Sequence, residues 1–246
     1  MKAMILAAGK GTRLGRITQE IPKALVDVNG KTLLRRAVEK CSSSGFDDII
    51  VNIHHLASMV EKEIHKLKKE GFHITVSDER EMLYETAGGL FKARDFFNSD
   101  PFLLYNVDIV TDLDLTQLYT YHLKNDGLAT LAVRARKGAR MFLVNSEGLL
   151  CGWINKNTGE KIVTRENQSL SEIAFSGIHI IDPVIFKYMD SGINTMTSVY
   201  IRLSTEHRIH TWKHDRGYWA NVGTPLILEE IRSFLKEYEN HERGVL

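Results

Sequence analysis

The chain has 246 residues, 43% of them hydrophobic and 26% charged, with a formal net charge of +1. Such globular usage allows one α/β domain with a sizeable core. It speaks against a chain-wide basic footprint for nucleic acid, and no run approaches the ~20 apolar residues of a membrane helix.

"AMILAA" (3–8) reads as a strand. "KTLLRRAVEKCSSSG" (31–45) carries Leu33, Leu34, Ala37, Val38 and Cys41 at helical spacing, with Gly45 as its stop. Then come a strand at 48–53, an amphipathic helix at 57–71, a strand at 73–77, a helix at 87–97 and the strand "FLLYNVD" at 102–108. Apolar strands separated by helices imply a mainly parallel sheet covered on both faces. Asp112 and Asp114 open a helix at 114–124, since helix starts favour acids. Beyond residue 126 the rhythm shifts to strand-like runs at 127–135, 141–148 and 174–182, with a polar loop or hairpin at 152–172. The end, 223–243, is a helix with Thr224 as its cap and Pro225 in its first position, where a missing N–H costs nothing. One domain with a small β-rich lobe accounts for this pattern. The two cysteines, Cys41 and Cys151, lie far apart without metal-ligand spacing, and the N-terminus lacks a signal-peptide pattern. These features point to reduced thiols in a cytoplasmic protein. Among the histidines, His54–His55 and His207/His210/His214 raise a metal cluster. However, "HRIHTWKH" reads as strand and turn rather than as a helix presenting His210 and His214 on one face.

The stretch "LAAGKGTRL" (6–14) puts two glycines and two cations at the end of the first strand, the usual ligand end of an α/β sheet. A P-loop requires G-x-x-x-x-G-K-[ST]; here Met4 stands where the first glycine belongs and Gly11 follows Lys10. A dinucleotide loop requires G-x-G-x-x-G; Gly9 and Gly11 fit, but Leu14 fills the third place and Gly15 comes one late. Asp27 lies at the right distance for that motif, yet Pro22 breaks the helix it needs. What remains is a loop whose backbone N–H groups approach phosphates, with Arg13 as a planar fork and Lys23 fixed by the preceding proline.

"LAAGKGTRL" followed by "IPKAL" resembles the signature of the sugar-phosphate nucleotidyltransferase family. "YETAGGLFKA" (84–93), "FLLYNVDIVTDLDL" (102–115), "FSGIHIIDPVIF" (175–186) and "GYWANVGTPLILEE" (217–230) extend the resemblance in the family's order. The phrasing is most similar to N-acetylmuramate-1-phosphate uridylyltransferases, with mannose-1-phosphate guanylyltransferase-like and glucose-1-phosphate thymidylyltransferase-like enzymes as alternatives. The resemblance implies a Rossmann-like three-layer α/β sandwich with a mainly parallel mixed sheet and a small β-rich sugar-binding lobe. Residues 1–125 would bind nucleotide, 126–222 sugar, and 223–246 would form the closing helix. The implied reaction joins an NTP (UTP favoured, GTP or dTTP possible) to a sugar 1-phosphate, giving NDP-sugar and pyrophosphate with Mg²⁺. A catalytically weak nucleotide-sugar-binding regulator is the rival reading, and the oligomeric state stays open.

By position in these motifs, Arg13 would hold the β- and γ-phosphates and Lys23 the α-phosphate or sugar phosphate. Asp108 would bind the metal. The nucleotide would lie on Leu6, Ala8, Gly9, Gly11 and Thr12 and be read by Glu85, Thr86 and Gly88, with Gly89 allowing close approach. Asn106, Ser176 and Gly177 would meet the sugar. The family's second phosphate-binding lysine follows an E-K-P phrase missing here, which leaves Lys156 and Lys161 as candidates. Its second metal aspartate, in D-V-G-T, reads Asn221 here, a neutral oxygen donor in place of a charged one.

Overall fold

The computed structural model describes residues 1–166, 169–192 and 194–243, with side chains described as far as residue 238. In the first half, strands β1 (Lys2–Leu6), β2 (Asp27–Val28), β3 (Lys31–Thr32), β4 (Asp48–Ile53), β5 (His73–Asp78), β6 (Phe102–Asn106) and β7 (Ile109–Thr111) are interleaved with helices. These are α1 (Ile17–Glu20), α2 (Leu33–Ser43), α3 (Ala57–Lys69), α4 (Glu85–Lys92) and α5 (Leu115–Lys124). The second half adds β8 (Ala129–Arg134), β9 (Arg140–Val144), β10 (Leu150–Asn155), β11 (Lys161–Val163) and β12 (Ser171–Ile181). Helix α6 (Met196–Leu203), β13 (Ile209–Lys213), β14 (Trp219–Asn221) and α7 (Pro225–Arg243) complete the chain.

Strand β1 shows why the sheet is covered on both faces. Ala3 and Ile5 pack with Leu34 and Val38 of α2, Val60 of α3, Leu118 of α5 and Leu228 of α7. Met4 and Leu6 point the other way, into a second core with Leu90 of α4 and Val199 of α6. The two-residue period of a strand thus feeds two cores, one per face. Thr32 caps α2 by accepting from the Arg35 amide at 3.1 Å, and Asp114 caps α5 through Thr116 and Gln117. Thr224 caps α7 by accepting from the Ile227 amide at 3.4 Å.

The ten-stranded sheet runs β11-β10-β9-β12-β6-β1-β4-β5, with β8 on β12 and β13 on β8. It is parallel across β6-β1-β4-β5, and antiparallel where β12 meets β6, β8 and β9. The chain winds outward from β1 to β4 and β5, then returns to place β6 on the other side of β1. That reversal is the topological switch point, where open α/β sheets bind ligands. Near Gly177 (φ +77°), the pairing of β12 with β8 breaks register between Phe175 and His179.

Several local expectations shift. The first strand ends at Leu6, which frees Ala7–Gly9 as loop. The helix read over 87–97 begins at Glu85 and stops at Lys92, followed by a short 3-10 turn at Arg94–Phe96. The segment 152–172 is partly strand, holding the end of β10, all of β11 and the start of β12, with residues 167–168 outside the described part. Asp112 lies outside α5; a Cβ on Gly217 would lie 2.3 Å from its Oδ1.

Three buried histidines hold the core in its neutral-imidazole form. His122 lies against Thr130 Oγ1 (3.0 Å), His179 against Tyr200 Oη (2.7 Å) and His214 against Ser176 Oγ (2.7 Å). Burial lowers their pKa values to about 4, about 3 and about 4 respectively. In the unfolded chain each titrates near ~6.5. Their contribution is therefore fully present above that pH and is lost as pH falls towards the folded values. Urea unfolding should show stability dropping below pH 6.5 with a slope approaching about 4 kcal/mol per pH unit, one proton per histidine. A flat midpoint between pH 6.5 and 4.5 would contradict this.

Candidate active site

A cleft of about 430 Å³ opens at the switch point, between the loop after β1 and the end of β6. Leu6, Ala8, Gly9, Gly11 and Thr12 line one wall together with Lys10. Asn106, Val107 and Asp108 line the opposite wall, and Glu85 and Thr86 close one end. Gly9 has no atom within 4 Å of where its Cβ would be, so that stretch of backbone is open to a ligand. Gly11 is different. Its φ of +65° lies in the left-handed region, and a Cβ there would sit 2.9 Å from Lys23 Cβ. The glycine lets Lys23 pass under the loop. Thr18 Oγ1 donates to Gly11 O at 3.0 Å, fixing the turn from below.

Lys23 is buried, and its Nζ is hydrogen-bonded to Asp108 Oδ2. The side chains are 10% and 14% exposed, so the pair sits at the cleft floor rather than in bulk water. The 3-10 turn Lys23–Leu25 and the segment just after β6 are thereby tied by charge.

Arg13 is exposed and lies beside the cleft rather than in its wall. A Cβ on Gly223 would fall 2.9 Å from Arg13 Nη2 and 2.8 Å from Asn221 Oδ1. Gly223 thus makes room for both groups at one spot. Asn221 ends β14, which pairs antiparallel with β7 so that Asn221 faces Ile109, and the Val222 amide donates to Asp108 O at 2.8 Å. Two oxygen-bearing side chains, Asp108 and Asn221, therefore stand on adjacent backbone segments. Their donor chemistry, one carboxylate and one amide oxygen, suits a hard divalent cation whose other ligands are phosphate oxygens and water.

Asn52 and Glu79 escape a reading of the motifs. Asn52 lines the cleft floor and is 2% exposed. Its Oδ1 accepts from the Ala7 amide (2.7 Å) and the Ala8 amide (3.3 Å), and its Nδ2 donates to Glu79 Oε1 (2.9 Å). Burial pushes the Glu79 carboxyl above its ordinary pKa, with the Asn52 hydrogen bond opposing. A Cβ on Gly89 would sit 2.6 Å from Glu79 Oε1, so Gly89 serves this pair beneath the cleft rather than a ligand. A signal exists in "DIIVNI": a lone polar residue near the carboxyl end of an apolar strand, as with Asn106.

Other expected residues have different places. Gly88 packs on the chain, since its Cβ would lie 2.7 Å from Gly192 O, and it does not line the cleft. Thr86 Oγ1 accepts from the Met196 amide at 2.8 Å, joining α4 to α6. Gly177 makes room for Asn106, whose Nδ2 would be 2.9 Å from its Cβ. Ser176 is fully buried, bound to His214, and accepts at its carbonyl from Trp219 Nε1 (2.9 Å); it does not face the cleft. Its side chain points to the opposite face of β12, as the strand alternation after Phe175 requires. Lys156 pairs with Glu172, and Lys161 sits exposed on β11; neither lines the cleft. The candidate histidines do not converge on a metal-holding group among the described residues: His55 Nε2 lies 3.0 Å from Thr18 O and His210 Nε2 lies 3.1 Å from Asp126 O.

The sequence profile described as nucleotidyl transferase matches residues 2–238. The chain is 34% identical over 207 residues to a UTP–glucose-1-phosphate uridylyltransferase of Synechocystis sp., covering 78% of this chain but only 52% of that protein. It is 29% identical to an N-acetylmuramate α-1-phosphate uridylyltransferase of Neisseria meningitidis, covering 95% of this chain and 97% of that one. It is 28% identical to a mannose-1-phosphate guanyltransferase of Schizosaccharomyces pombe, covering 100% and 68%. Among solved structures, an inositol-1-phosphate CTP transferase from T. maritima superposes with TM-score 0.76 at 16% identity, over 96% of each chain. A UDP-glucose pyrophosphorylase from Acinetobacter baumanii superposes with TM-score 0.77 at 15% identity, over 100% and 99%. These structural likenesses carry the fold.

Proposed function

The chain belongs to the nucleotidyl transferase family, and from that membership we propose that it joins a nucleoside triphosphate to a sugar 1-phosphate. An oxygen of the sugar phosphate attacks the α-phosphorus in line. The bond from that phosphorus to the β-phosphate bridging oxygen breaks, and pyrophosphate leaves with the electron pair. No protein nucleophile is needed; positioning and charge neutralisation supply the rate.

The observation that carries the reading is the buried Lys23–Asp108 pair on the floor of a glycine-loop cleft at the switch point. Two anionic reactants can meet only where cations lie between them. The Gly9–Gly11 backbone receives the triphosphate, and Lys23 neutralises charge at the α-phosphate as the new bond forms. Arg13, beside the cleft mouth, stabilises the departing pyrophosphate. Asp108 and Asn221 would hold Mg²⁺, which supplies Lewis-acid charge to the phosphates. Asn52 holds the Ala7 and Ala8 amides so that the floor under the base is rigid.

The finer assignment is UTP with an amino-sugar 1-phosphate of the N-acetylmuramate type. It is supported by the end-to-end match to the Neisseria meningitidis protein, in contrast to the half-length match to the Synechocystis one. Mannose 1-phosphate with GTP and glucose 1-phosphate with dTTP are the alternatives. Pyrophosphate release from a matrix of the NTPs and these sugar phosphates tests the assignment, with the UTP and N-acetylmuramate pair expected to be fastest. A regulatory binder is the second reading, favoured by the neutral Asn221. Absence of turnover with every pair, alongside NDP-sugar binding, would establish it instead. Asn221→Asp should lower the Mg²⁺ concentration for half-maximal rate by about tenfold, the scale on which ligand charge tunes such sites. A titration unchanged by the substitution removes Asn221 from the metal shell.

A further inference from the structure

A second cavity, of about 640 Å³, lies beside the cleft between the β9–β10–β12 lobe and α6. Thr86, in the cleft, accepts from the amide of Met196, whose neighbours Thr195 and Thr197 line the cavity. The cavity's floor is aromatic, from Phe142, Trp153 and Phe175. Arg136, Arg140 and Arg202 also line it, and no aspartate or glutamate does among the described residues.

The three arginines lack carboxylate partners among the described residues. Arg136 donates to Phe175 O at 3.0 Å and lies 4.6 Å from the centre of the Trp219 ring. Packing there lowers its pKa through desolvation, with no acidic neighbour to offset it. Arg202 donates to the Tyr188 carbonyl at 2.7 Å, which leaves its charge uncompensated. The Arg140 side chain makes no hydrogen bond or ion pair among the described residues. Arg35 and Arg80 pair with Glu70 and Glu61, while others such as Arg16 and Arg216 also lack a carboxylate among the described residues; what sets Arg136, Arg140 and Arg202 apart is that they line one cavity. Three unmatched guanidiniums around an aromatic floor make a receptor for a ring that carries an anion, because guanidinium forks bind carboxylate and phosphate in two-pronged fashion.

We infer that this cavity receives the sugar of the sugar 1-phosphate and that Arg136, Arg140 and Arg202 select a sugar bearing a second acidic group, carboxylate or phosphate. The inference rests on the nucleotidyl-transfer reading above. The ring stacks on the aromatic floor with its 1-phosphate turned towards Thr86 and the cleft. The second acidic group meets the arginines at the far wall.

The test uses matched 1-phosphates: N-acetylglucosamine against its 3-O-lactyl acid, glucose against glucuronate, and glucose 1-phosphate against glucose 1,6-bisphosphate. In at least one pair the acidic member should have the higher kcat/KM by about tenfold or more at low salt, the size of a charge-assisted pair. The R140Q/R202Q variant should reduce that acid-to-neutral ratio towards one, and R140E/R202E should invert it. Retention of the ratio in both variants, or preference for the neutral member in every pair, overturns the inference while leaving nucleotidyl transfer intact. If no pair turns over with any NTP, the transfer reading fails, and calorimetric titration of each pair then decides the cavity alone. Tighter binding of the acidic member, lost in R140Q/R202Q, sustains the inference; equal binding of both members overturns it.

Discussion

Lys23→Met should lower kcat by about 10²–10³-fold, the scale of removing one fixed charge-stabilising donor from a reacting centre. It should also destabilise the fold by about 3–5 kcal/mol, because Asp108 is left desolvated without its partner. The two losses separate in the double variant. Lys23→Met with Asp108→Asn removes both charges and should recover most of the thermal stability of the native chain, while turnover stays as low as in the single variant or lower. Calorimetry and pyrophosphate release on the same preparations check this. A double variant that regains activity would make the pair a structural strut only. One that stays as unstable as Lys23→Met would show that the ion pair is not the source of the destabilisation.

Gly11→Ala is the second large effect. The left-handed backbone costs a residue with a Cβ roughly 1–2 kcal/mol, and the new methyl meets Lys23 Cβ at 2.9 Å and Thr18 Cγ2 at 3.0 Å. For a chain of this length the melting temperature should fall by about 3–8 °C. The displaced Lys23 stem should raise KM for the NTP by about tenfold, a shift of ~1.4 kcal/mol in binding. Gly9→Ala is the control, since nothing in the chain lies within 4 Å of its Cβ. Its melting temperature should be unchanged, so any rise in its KM reports contact with the ligand itself. Equal melting temperatures for the two variants would refute the role given to Gly11.

The sheet was legible in the sequence wherever burial on both faces writes a continuous apolar run. "AMILAA", "DIIVNI" and "FLLYNVD" are the centre of the sheet, and the residues that interrupt them, Asn52, Asn106 and Asp108, mark the cleft. Helix ends were legible where a cap has a side-chain mechanism, as at Asp114 and Thr224. The short β7–β14 ribbon was not, because each strand has three residues and their pairing is fixed by chain separated by more than a hundred positions. A separation of 85 positions hides the Lys23–Asp108 pair: a sequence shows two charges but not that they stand in contact. Ser176 was misplaced for a related reason. The bend of β12 at Gly177 sets which face its neighbour takes, and that face belongs to His214. Glu79 has no motif at all, since its role depends on Asn52, 27 positions earlier.

The position of β14 also makes the first loop depend on the last part of the chain. Arg13 belongs to the first turn after β1, yet the spot it shares with Asn221 exists only once Gly223 is in place. Arg232 of α7 then clasps the Asp27 carbonyl, drawing the end of the chain back over its beginning. The Lys23–Asp108 contact spans 85 positions, all of them upstream of residue 221. The meeting of Arg13 with Asn221 therefore waits on chain more than two hundred positions downstream of the loop it completes.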